Sequence, residues 1–173
     1  MRAPADAGSV QAFVRELGRA GRSPVDAYLV GGASAVVYGW RETTIDIDLR
    51  LEPETDDLLR RIAVLKDELH VNVELASPLD FLPELPEWRE RSPFVAQEGT
   101  LTVRHFDLYA QALAKIARGH PQDRDDVDAM LDRGLIESAR ARNLFAAIED
   151  ELHRFPAIDP VALRERVDLA LPD

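Results

Sequence analysis

The stretch from Tyr28 to Leu49, YLVGGASAVVYGWRETTIDIDL, decides the fold of this chain. Its order predicts a buried strand, a two-glycine turn, a short helix and a second strand. In the second strand, apolar and acidic residues alternate with the period of two that is typical of strands. We therefore expect Asp46 and Asp48 to point to one side of that strand. The apolar residues of the same strand are predicted to face a core: Ile45, Ile47, Leu49.

The two aspartates form a pair of like charges held side by side. Such a pair is unfavourable unless a cation bridges it, because neighbouring carboxylates repel one another. Oxygen ligands without thiols suit Mg²⁺, which binds through one or two carboxylates and completes its shell with water and phosphate oxygens. The sequence therefore predicts that Asp46 and Asp48 hold Mg²⁺. The alternative is that both carboxylates belong to an ordinary solvated strand face.

The glycine turn predicts a phosphate site at the start of the short helix. Gly31 and Gly32 leave their backbone N–H groups unhindered, and the hydroxyl of Ser34 follows within one helical turn. The stretch is neither a Walker loop nor a dinucleotide fingerprint, since it lacks the lysine of the first and the third glycine of the second. The alternative is a common left-handed turn without a ligand.

A glycine pair, a short helix and then Asp-x-Asp resemble the signature of the polymerase-β-like nucleotidyltransferase superfamily. This resemblance implies Mg²⁺-dependent transfer of a nucleotide from a nucleoside triphosphate. It also implies that Arg41 and Thr43, just before the aspartates, lie near the nucleotide, although both also fit a plain polar turn. Residues 70–75 alternate as a third strand, where the resemblance places a third carboxylate. Glu74 takes that metal-binding or catalytic position, although aspartate is more usual there and a solvated glutamate is the alternative.

A second set of residues resembles the C-terminal half of minimal bacterial nucleotidyltransferase-like proteins, including toxins of the AbiEii and MenT types. It consists of a helical lysine, a tight turn and an Asp-x-x-Asp pattern that opens the next helix. The resemblance makes Lys115 a phosphate-binding or catalytic residue and gives Asp123 or Asp126 the task of supporting the site. The alternative is plain helix surface, because acids favour helix N-termini and lysines favour helix C-termini.

Composition limits the classes of function. The chain of 173 residues is long enough to bury one core, and it contains no cysteine, which excludes disulfides, thiolate catalysis and zinc–sulfur sites. No apolar run reaches membrane-spanning length and no signal peptide is recognisable, so we expect a cytoplasmic protein without a membrane partner. The formal net charge of −11 argues against broad non-specific nucleic-acid binding.

The remaining pattern is mostly helical. Helices are predicted over 6–22, with Ser9 as its cap, and over 55–69 as a crossover between strands. A proline-rich loop at 76–93 precedes a hairpin around Glu98 and Gly99. Further helices begin after Asp107, at Gln122, at Glu137 (running to Arg154) and after Asp159. We expect an α/β (α+β) fold: a nucleotidyltransferase-like core over 1–106 with a small mixed sheet, and a helical part over 107–173 packed on it.

Two classes of function follow from these patterns. The first is a nucleotidyltransferase whose acceptor is an RNA such as a tRNA end, a protein hydroxyl or a small molecule, with a toxin of a toxin–antitoxin pair as one such protein. The second is a non-catalytic nucleotide-binding or protein-interaction module that keeps the fold and binds a cognate antitoxin or another protein. The sequence leaves the nucleotide and the acceptor open.

Overall fold

The structure, a computed structural model, describes residues 2–173. The chain divides into two compact units. The first contains the residues up to Ser77 together with Ser92–Phe106, and the second contains Pro78–Arg91 and Asp107–Asp173. Most of the proline-rich segment therefore groups with the C-terminal helices and not with the sheet.

A five-stranded mixed sheet forms the centre of the first unit. Its strands are β1 (Val25–Val30), β2 (Asp46–Glu52), β3 (Asn72–Leu75), β4 (Phe94–Glu98) and β5 (Leu101–His105). Their order across the sheet is β3-β2-β1-β5-β4. The central strand β1 pairs antiparallel with β2 and parallel with β5, while β2 and β3 are parallel. The predicted mixed sheet and the predicted hairpin of β4 and β5 are confirmed.

Three helices belong to this unit: α1 (Ala7–Ala20), α2 (Gly31–Tyr38) and α3 (Asp56–Glu68). The helix α3 is the predicted crossover, because it connects the parallel strands β2 and β3. The predicted cap of α1 is wrong. Asp6 occupies the N-cap position and accepts the backbone N–H of Ser9 at 2.8 Å. One apolar stripe of α1 is buried in the core: Val10, Phe13, Val14, Leu17.

The alternation along β2 is confirmed from Asp46 onward. Ile47 and Leu49 are fully buried, whereas the intervening side chains are half-buried on the other face. The prediction for Ile45 is wrong, since 71% of this residue is exposed. Ile45 lies in a bend before the strand begins, so the inward and outward alternation of a strand does not extend to it. The neighbouring Thr44 is buried instead.

The second unit is helical. Its helices are α4 (Trp88–Arg91), α5 (Leu108–Arg118), α6 (Pro121–Asp132), α7 (Ser138–Ile148) and α8 (Pro160–Ala170). The helices predicted to begin after Asp107 and Asp159 are present as α5 and α8. Both aspartates are N-caps, because their side chains accept N–H groups of the first helical turns. No helix within residues 2–173 has both the length and the apolar composition that a membrane crossing needs.

The helix predicted to run from Glu137 to Arg154 is shorter in the structure. Regular α-helix ends at Ile148, and Glu149–Arg154 forms a 3₁₀ helix. Three consecutive carboxylates begin that segment, at positions 149–151. Negative charge is unfavourable near the negative C-terminal end of a helix dipole, which favours an early end of α7.

Candidate functional site

The three predicted carboxylates lie on one face of two neighbouring strands. Asp46 and Asp48 belong to the half-buried set of β2. Glu74 of β3 is the register partner of Asp48, and Asn72 is the partner of Asp46. Because register partners on paired strands point to the same face of a sheet, Glu74 shares the face of the two aspartates. The sheet therefore presents a row of carboxylates from two strands.

The glycine turn approaches this row at Asp48. Val30, the last residue before the turn, is the register partner of Asp48 on β1. Gly31 has a φ of 57°, in the left-handed region where glycine is strain-free and an L side chain is not. A Cβ on Gly31 would also lie 3.3 Å from Asp48 Oδ2. The carboxylate of Asp48 thus lies against the first residue of α2, where the positive end of the helix dipole is located.

Two residues from the segment between α2 and β2, Arg41 and Thr44, pack against the same glycine turn. A Cβ on Gly32 would lie 2.0 Å from Thr44 Oγ1 and 3.4 Å from Arg41 Nη1. The guanidinium of Arg41 therefore lies beside the glycine turn, close to where a nucleotide was predicted. Thr43 is exposed, and Thr44 is the threonine that packs against the turn.

Sequence reasoning missed Thr44, because no periodic pattern marks it. The bend at Ile45 separates Thr44 from β2, so the alternation of that strand does not reach it.

The structure gives Ser34 a packing role. This residue is fully buried, and its hydroxyl donates a hydrogen bond of 3.0 Å to the carbonyl oxygen of Leu29. Its oxygen also lies 3.0 Å from His105 Nδ1. This fully buried hydroxyl already has two partners, and its predicted contact with phosphate stays a prediction. Through Leu29 and His105, the hydroxyl connects α2 to the strands β1 and β5.

His105 is a buried base beneath α2. Its ring stacks on Tyr38 with the centroids 4.0 Å apart, and the residue is 5% exposed. Burial lowers the pKa of His105 from 6.5 to about 4, because the imidazolium loses hydration in this position. The imidazole is therefore neutral at physiological pH.

This burial predicts acid sensitivity of the fold. Because the pKa of His105 is lower in the folded chain than in the unfolded chain, the unfolded chain binds more protons between pH 6.5 and 4. The free energy of unfolding should therefore decrease as the pH falls through that window, by about 2 kcal/mol between pH 7 and pH 5. Urea unfolding at pH 7 and at pH 5 measures this decrease in the free energy of unfolding. In His105→Asn, the decrease in the free energy of unfolding from pH 7 to pH 5 should be smaller than in the wild-type protein by about 2 kcal/mol. An equal decrease in the wild-type protein and in His105→Asn would contradict the role given to His105.

Lys115 of α5 is part of a buried ion pair within the second unit. Its side chain is 5% exposed, and its Nζ donates to Asp126 Oδ2 at 2.7 Å. Asp123 Oδ1 lies further from Lys115 Nζ, at 3.7 Å. The predicted support of Lys115 by one of the two aspartates is thus present in the structure, and Asp126 is the closer partner. The role of Lys115 in phosphate binding stays a prediction.

Asp123 mainly serves the start of α6. Both of its oxygens accept hydrogen bonds from Arg118, at 2.8 and 2.5 Å, and one also accepts the backbone N–H of His120. Burial by itself would raise the pKa of Asp123, but the hydrogen bonds and charges of Arg118 and Lys115 more than offset it and lower that pKa. Asp123 is therefore an ionised carboxylate in this network, and it forms a capping box with the N-cap residue His120.

A cavity of about 720 Å³ opens beside the Lys115 pair within the second unit. Its lining contains three positively charged residues, Lys115, Arg124 and Arg166, and three negatively charged ones, Asp123, Asp125 and Asp128. Because the cations and carboxylates balance, this lining does not by itself select an anion.

The carboxylate row suits Mg²⁺ in the chemistry of its ligands. Asp46 and Asp48 offer oxygen atoms beside a turn that can approach phosphates, and Mg²⁺ needs only one or two protein carboxylates when phosphates and water complete its shell. Across residues 2–173, no three His, Cys, Asp or Glu side chains are gathered closely enough to hold a metal among themselves. The fit is thus to a two-aspartate site, and the part of Glu74 as a third ligand stays a prediction.

Comparison with known proteins identifies the family. The family described as "Nucleotidyltransferase of unknown function (DUF6036)" matches residues 9–154, well over half of the chain. The matched region contains the glycine turn, the carboxylate strands and the Lys115 pair. No curated protein and no solved structure matches the chain. The chain therefore belongs to this family of nucleotidyltransferases of unknown function.

Proposed function

We propose that this protein transfers a nucleoside monophosphate from a nucleoside triphosphate to a hydroxyl acceptor, with Mg²⁺ bound at Asp46 and Asp48. The observation that carries the proposal is the position of Asp48, whose Oδ2 would lie 3.3 Å from a Cβ on Gly31. This contact joins a carboxylate pair, which suits a cation, to a helix start, which suits phosphate. Family membership supports the same reaction class.

In this proposal the glycine turn and Arg41 bind the triphosphate. The backbone at Gly31 and Gly32 lets phosphate oxygens approach without steric hindrance from a side chain. Arg41 lies beside the turn, and its guanidinium is suited to phosphate because its donors form a planar fork. Thr43 is exposed beside this group and stays a candidate nucleotide contact.

The acidic row supplies the metal site and a base. When bound, Mg²⁺ supplies positive charge to the oxygens of the triphosphate and of the attacking hydroxyl. Asp46 and Asp48 would hold it, and Glu74 would either complete the site or accept the proton of the acceptor. The acceptor oxygen forms a bond to the α-phosphorus, the bond from that phosphorus to the bridging oxygen breaks, and pyrophosphate leaves. The proton of the acceptor hydroxyl passes to Glu74 or, where Glu74 completes the metal site, to water.

The acceptor is the open part of the proposal. RNA, a protein hydroxyl and a small molecule all supply the required nucleophile, and the net charge of −11 disfavours an RNA bound through non-specific contacts. The resemblance to AbiEii-type and MenT-type proteins favours a toxin that modifies RNA and is neutralised by a cognate antitoxin. A non-catalytic nucleotide-binding module is the competing proposal, and it is favoured by glutamate at position 74, where the resemblance places an aspartate more usually.

A thermal shift tests the binding part of the proposal. Mg²⁺ and a nucleoside triphosphate together should raise the melting temperature more than either alone, because the carboxylates and phosphates each need the metal for charge balance. A ligand at a hundred times its Kd adds about 2.7 kcal/mol of stability, or about 5–10 °C for a chain of this size. In Asp48→Asn the joint shift should disappear. If no nucleotide shifts the wild-type protein at saturating Mg²⁺, the nucleotide site is wrong.

A further inference from the structure

Thr44 connects the two halves of the candidate site. Its Oγ1 donates a hydrogen bond of 2.9 Å to the carbonyl oxygen of Asp46. The same oxygen packs so closely on the glycine turn that a Cβ on Gly32 would lie only 2.0 Å from it. Thr44 is 8% exposed, so its side chain has little room to take another position. One buried hydroxyl thus touches both the turn and the backbone of the first aspartate.

The N-terminal segment holds Thr44 in place. The backbone of Ala5 exchanges two hydrogen bonds with Thr44, at 2.7 and 2.8 Å, and forms an isolated antiparallel bridge. Ala5 is 1% exposed, and the next residue, Asp6, caps α1. Nearer the N-terminus, Arg2 pairs with Asp67 at 2.6 Å. Hydrogen bonds and an ion pair therefore hold residues 2–5 against the rest of the first unit. These residues precede the region that the family matches.

We propose that Thr44 is a positioning residue that sets the distance between the glycine turn and Asp46, and that the bridge to Ala5 is what fixes Thr44. This inference rests on the proposed function. The residues that bind the metal and those that bind the phosphates act together only at a fixed distance from each other. A displacement of about 1 Å between such groups can lower the rate about 100-fold. Without the hydroxyl, the carbonyl of Asp46 loses its side-chain partner and the segment before β2 can shift relative to the turn.

The test uses three variants of the full chain. Thr44→Val keeps the β-branched shape and removes the hydroxyl, whereas Thr44→Ser keeps the hydroxyl. Thr102→Val is the matched control, because Thr102 on β5 also donates one side-chain hydrogen bond, of 2.9 Å to Gln97. The measurements are turnover, the Mg²⁺ concentration for half-maximal turnover, and amide hydrogen exchange across residues 31–48.

We expect Thr44→Val to lower turnover about 10- to 100-fold and to raise the half-maximal Mg²⁺ concentration, with Thr44→Ser close to wild type. Hydrogen exchange should speed up at the glycine turn in Thr44→Val and not in Thr102→Val. If Thr44→Val and Thr102→Val behave alike in exchange and in Mg²⁺ dependence, the positioning role is wrong. A wild-type protein without transfer activity would contradict the proposed function, and exchange at the turn would then decide the role of Thr44 separately.

Discussion

Replacing Asp48 with asparagine is expected to abolish nucleotidyl transfer while leaving the fold intact. Asparagine keeps the shape of the side chain but removes the negative charge that would hold Mg²⁺ beside the glycine turn. Loss of one well-placed electrostatic group typically costs about 10²–10³ in rate, and a lost metal ligand should cost at least as much. The assay is pyrophosphate release at saturating Mg²⁺ and nucleotide. Asp46→Asn should behave in the same way.

The matched control for this experiment is Glu52→Gln. Glu52 lies on the same strand and the same face as Asp48, but it pairs with Arg50 at 3.0 Å, and its register partner Asp26 is near the opposite end of β1 from the glycine turn. Glu52→Gln should retain wild-type turnover within about twofold. The melting temperatures of both variants should stay within about 2 °C of wild type, because a half-exposed isosteric change costs about 0.5 kcal/mol or less. Full transfer by Asp48→Asn would show that the metal assignment is wrong.

Replacing Lys115 with methionine is expected to destabilise the protein by about 3–5 kcal/mol, because it leaves the buried carboxylate of Asp126 without its closest cation. This loss of stability far exceeds the loss expected when an exposed cation is removed from a helix surface. Arg60→Met is the control, since Arg60 and Asp56 form an exposed pair at 3.6 Å and such pairs contribute about 0.3–0.5 kcal/mol. Urea unfolding of both variants at pH 7 gives the comparison. Equal losses would contradict the buried-pair description.

A double variant separates this structural role from a role in catalysis. Lys115→Met combined with Asp126→Leu removes both charges together, and replacement of a whole buried pair by apolar residues is often close to neutral. The double variant should therefore recover most of the stability lost in Lys115→Met. If Lys115 also neutralises phosphate charge, as the sequence predicts, the double variant should still turn over about 10²–10³ times more slowly than wild type at a temperature where both are folded. Recovered stability with full turnover would leave Lys115 a structural residue.

The parts of the site that the sequence predicts well depend on local periodicity. The carboxylate strand is predictable because strict alternation of apolar and acidic residues is typical of a strand and does not fit the period of a helix, and Asp46 and Asp48 indeed share a face. The prediction for Ile45 failed because the alternation was extended one residue past the start of the strand. Periodicity reports which side a residue takes only while the backbone stays extended.

The parts that the sequence could not predict depend on contacts between distant segments. The hydroxyl of Ser34 looks available from sequence, but 71 residues later the chain brings His105 against it. The role of Thr44 requires Ala5, a residue in another segment, to form two backbone hydrogen bonds. Which aspartate partners Lys115 depends on the turn between α5 and α6, where Gly119 adopts a φ of 73°. None of these contacts leaves a periodic trace in the sequence.

Pyrophosphate release is the measurement that tests the central claim most directly. The wild-type protein would be incubated with Mg²⁺ and each of the four nucleoside triphosphates, labelled at the α-phosphate, together with total RNA, total protein or a small-molecule extract. We expect release of pyrophosphate from at least one nucleotide, transfer of the label to one acceptor class, and loss of both on chelation of Mg²⁺ or in Asp48→Asn. Binding of nucleotide without pyrophosphate release in any mixture would contradict the claim and identify the protein as a non-catalytic nucleotide-binding module.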